Sequence, residues 1–437
     1  MKKSLLAMAA LMGVATLPAY AWRVNIDKEA YADIFFGAQI RGAYEGKRTS
    51  GTNTSTDHSA TNFYAQLVSI GASGHVNKLV YFGILAESLS PGLRKEFVVR
   101  DAFVGLKFAD EFMVQAGAMR IPFSRITLTS SYNLLIPTQD NKDIYNVGLS
   151  IDPIDALSVR GDAGERNRDA GIVVWGNVAD GMLKYYVGVS DGRYDRRTGP
   201  FGKNNKDNLA YTIRLQFTPT MLGFKGETGY SLADTYLGKQ NVLTFGVAYR
   251  AVKAQTTGLS ALGPGYKDYS KTAKLWTVDM LYEQKFGDIV PNLQVGYIQA
   301  KDVTYNIDID PTTGRITGVR YGKATQIYAQ AQLLYDQVVG FGKPALAIRW
   351  EQNKNKDLTA FDTTTGQTYV DTDQPKNTRV GVFVNYYIKG QDAKISFGVD
   401  NVNRNSDSKK NDPSVLSAGR GSGKNFTDYT LYLQTRF

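Results

Sequence analysis

Histidine and cysteine carry most nucleophilic, metal-binding and redox chemistry. This chain has two of the first, His58 and His75, and none of the second. Thiol catalysis, disulfides and Cys-ligated zinc or iron–sulfur sites are therefore excluded, and no cofactor or metal is expected. The chemistry that remains is charge. Arg120, Arg125, Arg166 and Arg168 bracket one long segment. Guanidinium groups bind carboxylate and phosphate oxygens bidentately, so converged on one opening they would favour anions. The same stretch, 122–169, also holds Asp140, Asp143, Asp152, Asp155, Asp162, Glu165 and Asp169. A transverse field, arginine facing carboxylate, is an equal reading. Salt bridges that anchor the segment are the plainer one.

The elements that must position these groups are strands. In 209–218, Leu209, Tyr211, Ile213, Leu215 and Phe217 alternate with Ala210, Thr212, Arg214, Gln216 and Thr218. Segments 183–190 and 380–388 alternate in the same way, as half-buried strands do. Tyr is frequent at 27 residues, Gly at 43, and Pro is scarce at 13, a composition suited to strands and open loops. Alternation assigns one face to Arg41, Lys184, Arg214, Arg250, Arg349, Arg379, Lys394 and Arg436. Acids fall there too, among them Glu87, Asp279, Glu283, Glu351 and Asp400.

The first 21 residues, MKKSLLAMAALMGVATLPAYA, have the form of a cleaved signal peptide: two lysines, an apolar run, and Ala-Tyr-Ala. The rival reading, a membrane anchor, is disfavoured because the apolar run is short. Residues 22–437 are then one domain. Loss of Lys2 and Lys3 lowers the formal charge of +10 by two, leaving a modest basic excess suited to an anionic membrane surface, anionic solutes or an ordinary solvated surface.

The connections alternate between short (75–78, 109–111, 178–181, 287–291) and long (45–59, 122–165, 191–207, 253–271). Short turns on one rim and long loops on the other mark an all-β, transmembrane antiparallel β-barrel with periplasmic turns and extracellular loops. The parity breaks once, at 219–241. Treating 222–231 as part of a long periplasmic connection restores it and gives sixteen strands. The alternative is eighteen, with 222–231 retained and a further strand in 149–161.

The chain ends YTLYLQTRF. Tyr429, Leu431, Leu433, Thr435 and Phe437 form one face and Thr430, Tyr432, Gln434 and Arg436 the other. This resembles the last strand of bacterial outer-membrane barrels. The resemblance makes Phe437, Leu433, Leu431 and Tyr429 the signal read by the barrel assembly machinery, and the outer membrane the destination. The stretch RDAFVGLKFADEFMVQAGAMRIPFSRITLTSS (Arg100 to Ser131) resembles the phosphate-selective porin O/P family, as do Arg166 to Arg193 and Tyr236 to Tyr249. What that implies is a sixteen-stranded porin, a homotrimer, passing small solutes passively through a water-filled lumen narrowed by its third loop, here 122–165. The expected pore constriction is Arg120, Arg125, Arg166 and Arg168, with an anion or phosphate preference. The family's arginine ladder and lysine cluster are not matched residue by residue. Arg193, Arg196 and Arg197 in the fourth loop are candidate contacts to lipopolysaccharide and outer-membrane lipid.

Two rival classes stay open: a barrel enzyme, lipase or protease, and a soluble secreted β-sheet binding protein. The enzyme reading is weak. A Ser-His-acid triad needs a positioned histidine, and His58 and His75 fall on opposite rims. Nothing resembles a nucleic-acid motif.

Overall fold

The computed structural model describes residues 22–47, 49–50, 59–89, 97–137, 167–192, 209–256, 269–309, 316–362, 365, 367–370, 372–410 and 422–437. The expected leader 1–21, His58, the strand alternative in 149–161, Arg166, and Arg193, Arg196 and Arg197 lie outside the described residues.

Sixteen antiparallel strands make the wall: β1 (Tyr31–Glu45), β2 (Ala60–His75), β3 (Val80–Leu89), β4 (Val98–Ala109), β5 (Phe112–Arg120), β6 (Arg168–Val178), β7 (Leu183–Ser190), β8 (Ala210–Phe217), β9 (Val242–Thr256), β10 (Tyr269–Glu283), β11 (Ile289–Ile309), β12 (Ile316–Tyr335), β13 (Lys343–Asp362), β14 (Lys376–Lys389), β15 (Ala393–Arg404) and β16 (Phe426–Arg436). Each pairs with the next, and β16 closes onto β1 from Gly37–Arg436 to Tyr44–Tyr429. Two short strands lengthen the sheet without adding to the wall. Trp22–Asn25 lies against the start of β1, and Thr368–Val370 folds back on β13.

Alternation becomes an inside-out amphipathic wall. Along β8, Ala210, Thr212, Arg214 and Gln216 are buried inward, while Tyr211, Ile213, Leu215 and Phe217 are exposed outward. Exposed apolar side chains continue around the outside, from Ile40 and Ile84 to Val247, Ile348 and Phe397. In water such a surface would cost roughly 1.5–3 kcal/mol per large side chain. In lipid it is the matching surface.

Six of the seven turns on one rim are short: 76–79, 110–111, 179–182, 284–288, 336–342 and 390–392. The seventh, 218–241, contains no wall strand, so sixteen replaces the eighteen-strand alternative. Its course was not foreseen. Instead of hanging below the rim, it folds up into the barrel. Gly181 of a neighbouring turn permits this (φ 82°), since a Cβ there would sit 3.1 Å from the Gly226 Cα. Conversely, a Cβ on Gly226 would sit 2.6 Å from the Gly181 carbonyl oxygen.

At the seam, Phe36 and Phe437 exchange both backbone hydrogen bonds at 2.7 and 2.9 Å, and their rings stack 5.7 Å apart. Phe437→Ala loses the ring contact, worth about 0.5–1.5 kcal/mol. Deleting Phe437 also removes two backbone bonds, about 1 kcal/mol each. Folded yield, read by heat-modifiable gel migration, is predicted to fall in the order wild type, Phe437→Ala, deletion.

Candidate pore constriction

Near the end of β5, Gly117 has a φ of 132°, open to glycine but strained for other residues, and the third loop leaves after Arg120. Beyond the glycine, Met119 and Arg120 are both buried. One helical turn follows, α1 (Arg125–Leu128), closed by a capping box in which the Ser124 N–H donates to Thr127 Oγ1 at 2.9 Å. Ile121, Phe123 and Ile126 pack on an apolar patch of the inner wall: Ala210, Ala248, Val252, Ala273, Leu275, Ile298, Ala300 and Ala324. The loop thus lies against β8–β12 through hydrophobic contact, not charge alone.

It then crosses to the opposite wall. Gln39 donates to the Ser131 carbonyl at 3.0 Å and Gln434 to that of Tyr132 at 2.9 Å. Lys394 donates to Leu134 O at 2.8 Å and Asn385 to Leu135 O at 2.9 Å. The Tyr132 hydroxyl donates to Ser69 Oγ at 3.0 Å. A strand-free segment inside a barrel must satisfy its backbone groups from the wall; four of these bonds do so for carbonyls, and the Tyr132–Ser69 bond pins a side chain.

The insert 218–241 meets the loop from the other end. Leu232 N donates to Leu128 O at 3.1 Å. Arg125, fully buried, forms a two-pronged ion pair with Glu227 and also donates to Ala233 O at 3.0 Å. Gln216 and the Tyr236 hydroxyl donate to the same carboxylate at 3.0 and 2.6 Å. Burial pushes the Glu227 carboxyl up, but the facing Arg125 guanidinium outweighs it and holds the group below its ordinary value. Asp234 accepts from Thr129 Oγ1, Leu135 N and Gln330 Nε2 at 3.0–3.1 Å, and burial raises its pKa. Glu283 of β10 gathers Thr235 Oγ1, Tyr236 N and Gly238 N at 2.6–3.1 Å. Tyr230 sits edge-on to Trp175 and Tyr186, 5.4 Å from each ring centroid, and Lys184 donates to the carbonyls of Glu227 and Gly229. Two strands of irregular chain, one from each rim, are thereby tied together inside the barrel.

The arginines singled out by sequence are placed as follows. Arg120 donates to the carbonyls of Thr127 and Thr129 at 3.3 and 2.9 Å. Arg168 holds Asp101 through two bonds of 2.8 and 3.1 Å. Arg125 is tied to Glu227, not turned to open water. On the wall, Arg214 grips Asp279 at 2.7 Å and also reaches the Phe123 carbonyl. Arg250 pairs with Asp169 at 2.8 Å, and Arg349 and Arg379 share Asp400. Arg41 lies 3.6 Å from Glu45, between the rings of Tyr64 and Tyr432. Alternation identified these side chains as inward. It did not identify their partners. Glu227, Asp234, Tyr230 and Tyr236 were not singled out at all, because the insert has no periodicity to place them. His75 is flanked by the rings of Tyr31 and Tyr81, 5.5 and 6.1 Å away.

Removing one member of a buried pair strands the other charge, at a cost of roughly 3–5 kcal/mol. Arg125→Ala is predicted to lower stability by that order, and Arg125→Met with Glu227→Leu to recover most of it. Denaturant unfolding reads both. A depressed Glu227 pKa contributes stability that is full above the ordinary glutamate range and lost as pH falls through the lower folded value. The clasp should therefore hold at pH 5 and loosen only in stronger acid.

A family model for "Phosphate-selective porin O and P" matches residues 36–252. An uncharacterized protein of Aquifex aeolicus is 24% identical over 308 residues, 69% of this chain and 62% of that relative, so the match spans less than two thirds of the relative's length. Among solved structures, Pseudomonas putida OprB aligns at TM-score 0.56 and 10% identity, covering 94% of this chain and 95% of that one. Salmonella typhi OmpF aligns at TM-score 0.52 and 15% identity over 95% and 100%. An anion-selective porin from Comamonas acidovorans aligns at TM-score 0.51 and 10% identity over 93% and 99%. With its closed sixteen-stranded wall, polar interior and inward third loop, the chain has the fold of outer-membrane porin barrels and over residues 36–252 is similar to the phosphate-selective porin O and P family.

Proposed function

We propose that the protein is an outer-membrane channel for passive diffusion of small hydrophilic solutes and ions, not an enzyme. The observation that carries this is the wall itself: apolar outside, lined inside by charged and amide side chains, and narrowed by two straps of chain. His75, set between two tyrosine rings, has the surroundings of a packed rim residue and not of a general base. The apolar exterior counts against a soluble sheet protein.

Selectivity follows from how the lumenal charges are used. Arg125, Arg168, Arg214 and Arg250 are each matched by a carboxylate, so their fields largely cancel beyond contact distance, while Arg120, Lys184 and Lys394 are held by backbone carbonyls. We assign Arg120, Arg125 and Arg168 to bracing the constriction, not to a solute-facing ring, and infer a mild ion preference. A trimer of such barrels, and reading of Phe437, Leu433, Leu431 and Tyr429 by the assembly machinery, are carried over from the family resemblance.

Planar-bilayer recording under a salt gradient tests the reading. Discrete conductance steps are expected, with a small reversal potential. Arg120→Ala and Arg125→Ala should enlarge or destabilise the step by loosening the loop while leaving the reversal potential nearly in place. No steps from folded protein would remove the channel reading. A large loss of anion preference in either variant would remove the bracing role and make these arginines the selectivity ring.

A further inference from the structure

Outside the barrel, near the loop rim, six lysines lie on five adjacent strands: Lys274 (β10), Lys301 (β11), Lys323 (β12), Lys354 and Lys356 (β13) and Lys376 (β14). All six alternate with buried residues and so face outward; their neighbours Ala273, Ala300, Ala324, Asn353, Asn355 and Asn377 are buried. Register places them side by side. Lys274 is directly opposite Lys301, Lys323 opposite Lys356, and Lys354 opposite Lys376. Lys301 adjoins Lys323 across the bulge between Ala300 and Val303. Among the described residues, none of the six forms an ion pair.

Like charges directly opposite each other on a sheet destabilise it. Three such pairs in one row, none of them in an ion pair among the described residues even though Asp302 and Asp357 follow Lys301 and Lys356 in the chain, leave a positive strip that an external polyanion would offset. The height of the row says which one. Lys301 is twelve residues above Ile289, the rim end of β11. That is about 40 Å along the strand at ~3.3 Å per residue, or about 30 Å along the membrane normal at a tilt of ~40°. The apolar band of such barrels is ~25 Å tall, so the row lies at the outer headgroup level. Just below it are Trp276 and Tyr297, their rings 4.9 Å apart and both facing out, the aromatic pair expected at that interface. β11 continues to Ile309, so the lysines are on the wall and not on a loop tip. Five strands at ~4.8 Å spacing make the row about 20 Å wide, enough for more than one phosphate.

We infer that this row is a binding site for the phosphorylated headgroup of an outer-leaflet glycolipid, seated against β10–β14 with its phosphates on the lysines and its acyl chains on the apolar wall below. The inference rests on the barrel spanning a membrane and not on its conductance.

The test uses the full barrel in detergent, with diphosphorylated lipid A as probe and native mass spectrometry as readout. Wild type should retain the lipid, with binding falling steeply between 0.05 and 0.5 M salt, as phosphate–lysine contacts do. Lipid A stripped of its phosphates should not be retained. The variant Lys301→Gln, Lys323→Gln, Lys354→Gln should bind at least tenfold more weakly. Its conductance steps, in bilayers free of lipid A, should equal those of wild type, which separates this site from the channel. Equal retention of phosphate-free lipid, salt-insensitive binding, or a variant within twofold of wild type would overturn the inference. Displacement of the lipid by millimolar inorganic phosphate would overturn the lipid assignment and leave a collector of free anions.

Discussion

Hydrocarbon offers a peptide group no hydrogen-bond partner, and the rest of the structure depends on that constraint. A sheet in lipid must pair every N–H and carbonyl with another strand, so it must close. The pairing of β16 with β1 meets this condition, with the mutual bonds of Phe36 and Phe437 finishing the seam. Once the wall is closed and its outside apolar, polar side chains have one place to go. The interior therefore fills with arginine, lysine, carboxylate and amide groups that must satisfy one another.

That crowding explains the straps. Inward side chains at the height of the third loop provide donors to its carbonyls, and inward acids provide acceptors to its N–H groups. Asp279 serves two masters, the Arg214 guanidinium and the Arg125 backbone N–H. Glu283 does the same for the insert, and Glu227 of the insert in turn receives donors from the third loop, the wall and the insert itself. Much of the charge in this lumen holds the loop and the insert in place. A guanidinium bound bidentately to a buried carboxylate has little field left for a passing ion, whereas two arginines sharing Asp400 mark the wall where the balance is less even.

The outer surface follows the opposite logic. Lipid-facing positions are apolar through the middle of the wall and become charged only at the headgroup level, where the lysines of β10–β14 stand opposite one another. Inside the barrel, opposite charges are brought together. Outside it, like charges are left adjacent, at the level where the proposed phosphorylated headgroup would provide the counter-charge.

Period-two alternation is local, so the wall strands, the inward parity of Arg214, Arg250, Arg349 and Arg379, and the outward face of YTLYLQTRF were all legible residue by residue. Loop parity is a count, so the sequence also favoured leaving 222–231 out of the wall, with eighteen strands as the alternative. Partner choice was not legible. Arg125 and Glu227 are 102 positions apart, and nothing in the spacing of either names the other. The insert carries no periodicity, because its backbone is satisfied by side chains of distant strands instead of by a ladder of its own. The sequence alone thus determined which way each strand faces. Only the closed wall decided which charges meet, because closure brings together residues far apart along the chain.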